Sequence, residues 1–131
     1  MSKALPEKPS DRKFVILAYV LGVAHLVFGG TKVLGIQSMT DEFTLVWHFP
    51  LWFMYFVGVS QLVCGALLFV RNLRLPASFA MALTMIGGFA TAIAATQPVN
   101  AVVTLVVAAL CLLVAKHRFF QLVEELSVEA K

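Results

Sequence analysis

Two polar side chains lie in the middle of apolar stretches, and glycines flank each of them at the same spacing. The octet GVAHLVFG at residues 22–29 carries His25, and the similar octet GVSQLVCG at residues 58–65 carries Gln61. Positions i, i+3 and i+7 of a helix share one face, so each octet predicts a face with a polar residue between two glycines. The glycines of these faces are Gly22, Gly29, Gly58 and Gly65.

The two faces are expected to meet. Small residues let helix backbones approach closely, and a polar side chain then finds a partner across the contact. We therefore expect His25 to hydrogen-bond Gln61 in the protein interior. Two interpretations stay open for this pair. The bond serves helix packing alone, or His25 belongs to a ligand or proton site, because ionisable residues inside a membrane mark functional sites and an imidazole changes charge near neutral pH.

Lys32 follows His25 by seven residues and lies on nearly the same helix face, about 10 Å further along the axis. One interpretation is a lysine that extends its ammonium group to the membrane surface. The other is an inward-facing cation. That cation would pair with Asp41 or Glu42 of the following loop, or with an anionic or carbonyl-bearing ligand.

An aromatic cluster around His48 and Trp52 begins at the end of this loop. It is either an aromatic belt at the membrane surface or the aromatic wall of a ligand site. No nucleophile–base pair or carboxylate pair suggests catalysis, and no Cys/His spacing suits a metal ion. The candidate ligand residues are His25, Lys32, Gln61, Asp41, Glu42, His48 and Trp52.

The composition predicts that these residues lie in a membrane protein. The chain has 131 residues, of which 60% are hydrophobic and 13% charged, whereas soluble domains are about 45–50% apolar and about 25% charged. The charged residues are concentrated near the two ends, so the net charge of +3 belongs to the flanks of the apolar segments. No basic patch with interleaved aromatic residues indicates a nucleic-acid partner, and the expected surroundings are membrane lipid.

The apolar segments predict an all-α, four-helix transmembrane bundle of up-down topology. A helix of about 20 apolar residues crosses a bilayer. Pro50, Pro76 and Pro98 suit the first turns of the last three helices, where a missing N–H costs nothing. The expected spans are 14–34, 50–70, 75–96 and 99–116, which together form a membrane domain at 14–116.

The segments outside the spans complete the predicted organisation. Residues 1–13 are expected to be a flexible cytoplasmic lead, and residues 117–131 an amphipathic cytoplasmic tail. The loop at 36–49 is expected to hold a short segment that lies in the membrane interface. Lysine and arginine favour the cytoplasmic side, and their distribution places both termini there. Span three adds a small-residue packing face that contains Gly88.

Several stretches resemble the DoxX-like family of small four-span membrane proteins. They are FGGTKVLG, FPLWFMYFVGVSQLVCGALLF and MALTMIGGFATAI, and the resemblance covers roughly residues 14–116. It implies that Lys32 is the family's lysine and that Gln61 stands where a glutamate is common. A carboxamide cannot neutralise an ammonium group. Either Lys32 therefore pairs with Asp41 or Glu42, or a proton-linked role of that glutamate is absent from this chain.

The favoured function is a non-catalytic subunit or assembly factor of a membrane complex. The small-residue faces and the amphipathic tail suit other membrane subunits or a second copy of the chain as partners. The resemblance implies a bacterial cytoplasmic (inner) membrane and a quinone-linked redox complex as one such assembly. The alternative is a protein that binds a quinone or lipid-like ligand inside its bundle, and the third hypothesis is a small transporter. We expect no enzymatic activity from the isolated chain and no cofactor other than a quinone.

Overall fold

The computed structural model describes residues 9–131, and this part of the chain is helical apart from turns and short connections. The all-α prediction is confirmed for these residues. A π-helical turn at Glu42–Val46 continues α2, and a 3-10 turn at Arg71–Leu73 precedes α4. The helices are α1 (Pro9–Val33), α2 (Gln37–Asp41), α3 (Leu51–Leu67), α4 (Arg74–Ala94) and α5 (Pro98–Glu129).

Helix α1 begins earlier than the predicted start at residue 14. A proline is accepted in the first turn of a helix, which suits Pro9. The carboxylate of Asp11 in the same turn complements the positive end of the helix dipole. Residues 9–13 of the predicted flexible lead are therefore helical. The remainder of that lead, residues 1–8, lies outside the described part of the chain.

Helix α5 does not end where span four was predicted to end. It runs without a break from Pro98 to Glu129, so the predicted amphipathic tail at 117–131 is the continuation of this helix. The reason is that the sequence from Val99 to Lys131 contains neither glycine nor proline, the two residues that usually end a helix.

Three of the helices are long and apolar enough to cross a membrane. They are the helical stretches Asp11–Val33, Arg71–Ala94 and Pro98–Glu129. Helix α3 is apolar too, but it is 17 residues long and ends at Leu67, three residues before the predicted end of span two. After Leu67 the chain forms short turns. Nε of Arg74 donates to the carbonyl oxygen of Leu68 at 3.0 Å in this region.

The helices pack in two pairs. Helix α1 lies mainly against α3, and α4 lies mainly against α5, while contacts between the two pairs are sparser. We call the end that holds the start of α1 and the end of α5 the termini end, and the end that holds residues 36–50 the loop end. The buried apolar core lies toward the termini end and joins both pairs. Its members are Ala18, Leu21, Leu68, Ala77, Met81, Ala82, Cys111 and Val114.

Charged side chains clamp the termini end beyond this core. Arg118 is 4% exposed, and it donates to the carbonyl oxygen of Arg71 at 3.2 Å and to the carboxylate of Glu125 at 3.2 Å. Arg71 also binds Glu125, at 2.6 Å. The end of α5 is thus tied to the turn that precedes α4.

Candidate ligand-binding site

The glycine faces of α1 and α3 lie against each other. A Cβ atom placed on Gly29 would lie 2.8 Å from the carbonyl oxygen of Gly58, and one on Gly65 would lie 3.0 Å from that of Gly22. Side chains do not approach backbone oxygens so closely, so only glycine lets these helices touch backbone to backbone. Gly88 lies on α4, where an added Cβ would lie 3.3 Å from a threonine side chain of α5.

His25 and Gln61 are both buried, with exposed fractions of 2% and 5%. Nδ1 of His25 lies 2.7 Å from the carbonyl oxygen of Leu21 and donates its proton there. Oε1 of Gln61 has no hydrogen-bond partner within residues 9–131. The expected bond between His25 and Gln61 is not formed, and the imidazole donor is bonded to the Leu21 carbonyl oxygen within α1 instead. The two side chains instead line a common cavity.

Lys32 faces inward and is only 8% exposed. Its Nζ donates to the carbonyl oxygen of Phe28 at 3.3 Å and lies 5.8 Å from the centre of the Phe28 ring. Among the described residues, no carboxylate forms a salt bridge with this ammonium group. Since an ammonium group carries three N–H donors, Lys32 retains donors for a further partner.

The segment at residues 37–47, called here the loop-end segment, covers the loop end of the bundle. Two hydrogen bonds attach it to the start of α5. Nε1 of Trp47 donates to Oε1 of Gln97 at 3.0 Å, and Nδ2 of Asn100 donates to Oε1 of Glu42 at 2.9 Å. The side chain of Phe43 in this segment is buried, with its ring centre 4.8 Å from that of Trp47.

A cavity lies between the two helix pairs, on the loop-end side of the core. Its larger lobe measures about 370 Å³ and is lined mainly by α3 and α4. Its smaller lobe measures about 210 Å³ and is lined mainly by α1, α5 and the loop-end segment. His25, Glu42 and Asn100 line the smaller lobe only. Residues that line both lobes include Lys32, Phe43, Trp47, Gln61, Met85 and Thr104.

Aromatic rings form one wall of the larger lobe. The ring centres lie 6.4 Å apart for Phe43 and Phe49, 4.9 Å for Phe49 and Phe53, and 6.4 Å for Phe53 and Phe56. These separations are typical of packed aromatic pairs. A ligand in this lobe would therefore lie along a continuous aromatic surface, with Lys32 and Gln61 at its polar end.

Four of the predicted site residues, His25, Lys32, Gln61 and Glu42, meet at the cavity, and the other three do not. The carboxylate of Asp41 accepts a hydrogen bond of 2.7 Å from Gln37 on the protein surface. His48 is exposed and adopts a positive φ of 55°, which suits its place in the turn before α3. Trp52 is 67% exposed on the outer face of α3. This position agrees with the aromatic-belt interpretation.

Two polar residues that attach the loop-end segment over the site were not predicted from the sequence. Asn100 binds Glu42, and Gln97 accepts hydrogen bonds from both Trp47 and Asn100. Gln97 directly precedes α5, and Asn100 lies in the first turn of that helix. A carboxamide at the start of an apolar helical segment signals a tertiary partner, because an unpartnered polar group there is costly.

The cavity offers unequal hydrogen-bonding groups. Lys32 can donate to a ligand, whereas Oε1 of Gln61 can only accept. Nε2 of His25 also accepts when the ring is neutral, since Nδ1 carries the proton. Within residues 9–131, no group of three or more His, Cys, Asp or Glu side chains could hold a metal ion. The arrangement suits recognition of a small polar head attached to an apolar body.

The sequence pattern of the DoxX-like family matches residues 16–114, which include all five helices in whole or in part. No curated protein and no solved structure matches the chain. The matched range contains both glycine faces and every cavity-lining residue. The protein is an integral membrane protein, and it belongs to the DoxX-like family.

Proposed function

We propose that this protein binds an amphipathic, lipid-like molecule inside its helix bundle, with the polar head of the molecule near Lys32 and Gln61. The observation that carries the proposal is Oε1 of Gln61, a buried acceptor without a partner among the described residues, on the wall of a cavity. A buried polar atom without a hydrogen bond costs about 1–3 kcal/mol. A bound ligand that donates to this atom would remove that cost.

The dimensions and walls of the cavity support the same function. Ligand sites are clefts of about 300–1,000 Å³ with mostly apolar walls and a few converging polar groups. The larger lobe of about 370 Å³ lies within this range and combines an aromatic wall with the ammonium group of Lys32 and with Oε1 of Gln61, which has no partner within residues 9–131.

Access from the surrounding lipid is the natural route to this cavity. Phe56 and Gly87 line the larger lobe, Phe28 and Val103 line the smaller one, and Phe56, Phe28 and Val103 are all more than half exposed at the outer apolar surface. A lipid-like molecule would reach either lobe sideways from the bilayer. A quinone or quinol is one candidate ligand of this class, and a membrane lipid is another.

The proposal includes a topology of four spans with both termini in the cytoplasm of a bacterial cell. Helix α3 has 17 residues, which is the lower limit for crossing a bilayer core of about 30 Å. Arg71, Arg74 and Arg118 lie at the termini end, whereas Lys32 is buried toward the loop end. This asymmetry favours a cytoplasmic termini end. The subunit and transporter hypotheses stay predictions.

The two tryptophans allow a direct binding test. Trp47 lines both lobes, whereas Trp52 faces outward. In nanodiscs, the fluorescence of a Trp52→Phe variant comes from Trp47 and reports binding in the cavity. The fluorescence of a Trp47→Phe variant comes from Trp52 and reports probe in the surrounding lipid. We expect saturable quenching of Trp47 by 2-bromo-4-heptylphenol or by 12-bromododecanoic acid. Trp52 should show only gradual quenching that follows partition of the probe into the bilayer.

A cavity-filling substitution provides the control. Thr104→Phe places a ring in both lobes and should abolish the saturable quenching of Trp47. Ser60→Phe is its match, because Ser60 also bonds the carbonyl oxygen four residues earlier but lines neither lobe. It should leave quenching unchanged. Absence of saturable quenching with both probes in the Trp52→Phe protein would contradict the proposed function.

A further inference from the structure

Taking the proposed ligand site as given, we propose that its ligand has a phenol-type head, that is, an aromatic ring with a neutral hydroxyl group. The hydroxyl hydrogen is donated to Oε1 of Gln61, and the hydroxyl oxygen accepts a hydrogen bond from Nζ of Lys32. The inference rests on three features of the cavity: a buried acceptor that lacks a donor among the described residues, an ammonium group with N–H donors to spare, and an aromatic wall.

The unpartnered acceptor requires a ligand that can donate. Gln61 is 5% exposed, and its Oε1 lies on the wall of both lobes without a partner in the described chain. Nε2 of His25 is a second acceptor toward the smaller lobe when the ring is neutral. A head that carries only carbonyl or ether oxygens would leave both acceptors unpaired, because such oxygens cannot donate.

The ammonium group requires an acceptor on the same head. Among the described residues, its one hydrogen bond is to the carbonyl oxygen of Phe28 and is long at 3.3 Å. A hydroxyl oxygen fills this role and donates its own hydrogen at the same time.

An anionic head is disfavoured by the other charge of the cavity. Glu42 lines the smaller lobe together with Lys32. A carboxylate ligand would bring a second negative charge toward Glu42 and would still supply no donor for Gln61. The neutral hydroxyl avoids both costs.

The wall of the larger lobe selects a ring. Phe43, Trp47, Phe49 and Phe53 form a series of packed aromatic side chains beside Lys32 and Gln61. A planar ring continues such a series with offset or edge-to-face contacts, which a flexible alkyl alcohol cannot make. The position of the polar pair at the edge of this wall places the hydroxyl on the ring itself.

Two matched probes test the inference. The phenol 4-heptylphenol and its methyl ether 4-heptylanisole have the same ring and tail, but the ether cannot donate. Each competes with 2-bromo-4-heptylphenol for the cavity of the Trp52→Phe protein, and the competition is measured as recovery of Trp47 fluorescence. The affinities are corrected for partition into the nanodisc lipid. We expect the phenol to bind about tenfold more tightly than the ether, the effect of one hydrogen bond. In the Gln61→Met variant, the two affinities should be equal.

The outcomes separate this inference from the proposed function. Equal affinities of the phenol and the ether for the protein that retains Gln61 overturn the inference. Saturable quenching by 12-bromododecanoic acid alone also overturns it. Both outcomes remain compatible with a lipid-like ligand in the cavity. Equal binding of 4-heptylcyclohexanol and 4-heptylphenol overturns the assignment of an aromatic head. The comparison in the protein with Gln61 intact is decisive even where Gln61→Met fails to fold.

Discussion

Lys32 and Gln61 each destabilise the ligand-free fold by being buried without full hydrogen bonding. Lys32 has one long bond to a backbone carbonyl, and Oε1 of Gln61 has none within the described residues. Groups of this kind persist where they serve binding, because stability and function compete at ligand sites. The stability of the ligand-free protein and the affinity for the ligand should therefore change in opposite directions when one of these residues is replaced.

Replacement of Lys32 separates these two effects. We expect Lys32→Met to raise the stability of the ligand-free protein by about 1 kcal/mol, since a buried charge is replaced by an apolar chain of similar length. The same variant should lose at least tenfold in affinity for 4-heptylphenol. Thermal unfolding with and without that probe measures both. Lys116→Met, at an exposed position, is the control, and a loss of stability at position 32 equal to or larger than the loss of binding would contradict this account.

Individual site residues were predictable where an apolar helix carries an isolated polar group. His25, Lys32 and Gln61 stand out in this way, and the structure brings them together with Glu42 at one cavity. The bonding partners were not predictable, because the carbonyl of Leu21 that takes the His25 donor looks like any other in the sequence. Asp41, adjacent to Glu42, illustrates the same limit. One residue of helical rotation decides which carboxylate faces inward.

At the scale of helices, glycine contacts and hydrogen bonds between side chains do different work. The glycine faces bring α1 and α3 together backbone to backbone. The loop-end segment is attached to α5 by side-chain hydrogen bonds, chiefly those of Trp47 and Asn100. The first contact is rigid and apolar, while the second depends on a few polar groups, so substitutions in the two regions have different consequences.

Adjacent glycines of α1 offer a matched pair of substitutions. An alanine at Gly29 would place its Cβ 2.8 Å from a carbonyl oxygen of α3, whereas nothing lies within 4 Å of an added Cβ at Gly30. We expect Gly29→Ala to destabilise the protein by about 1–3 kcal/mol through overpacking. Gly30→Ala should stabilise it by about 0.5–1 kcal/mol, the usual helical preference for alanine. Thermal unfolding in detergent compares them, and equal effects would mean that the helices are not in backbone contact.

The attachment of the loop-end segment can be weakened at a single side chain. Gln97→Leu removes the acceptor for both Trp47 and Asn100. We expect amide hydrogen exchange in residues 42–49 to rise about tenfold, the loss of roughly one hydrogen bond. Gln37→Leu removes only a local bond to Asp41 and should raise exchange much less. Similar exchange in the two variants would show that other contacts hold the segment.

Helix locations were largely predictable, and helix ends less so. Span lengths, prolines and apolar composition predicted four main helices close to those observed. The predicted span four ends at residue 116, whereas α5 continues to Glu129, because the change from apolar to amphipathic composition at residue 117 does not interrupt the helical backbone. The interactions of Arg118 with Glu125 and Arg71 explain why the helix continues. They join residues from separate parts of the sequence.

At the scale of the whole molecule, the proposed topology places the two ends of the bundle on opposite sides of the membrane. Ser38 lies at the loop end and Ser127 at the termini end, and both are exposed. Cysteine differs from serine by one atom, so both positions accept it. In intact bacteria, a membrane-impermeant maleimide should label Ser38→Cys and should label Ser127→Cys only after permeabilisation. Labelling of both in intact cells would contradict four spans with cytoplasmic termini.

The buried apolar core at the termini end affects how the loop-end half, which contains the cavity, can move. Both helix pairs share that core, while on its loop-end side the cavity lies between them. A slight rotation of one pair about this pivot changes the width of the cleft and leaves every glycine contact intact. A cleft of variable width can hold ligands of different size. Substitutions near Thr104 or Met85 should therefore change the ligand selectivity before they impair folding of the bundle.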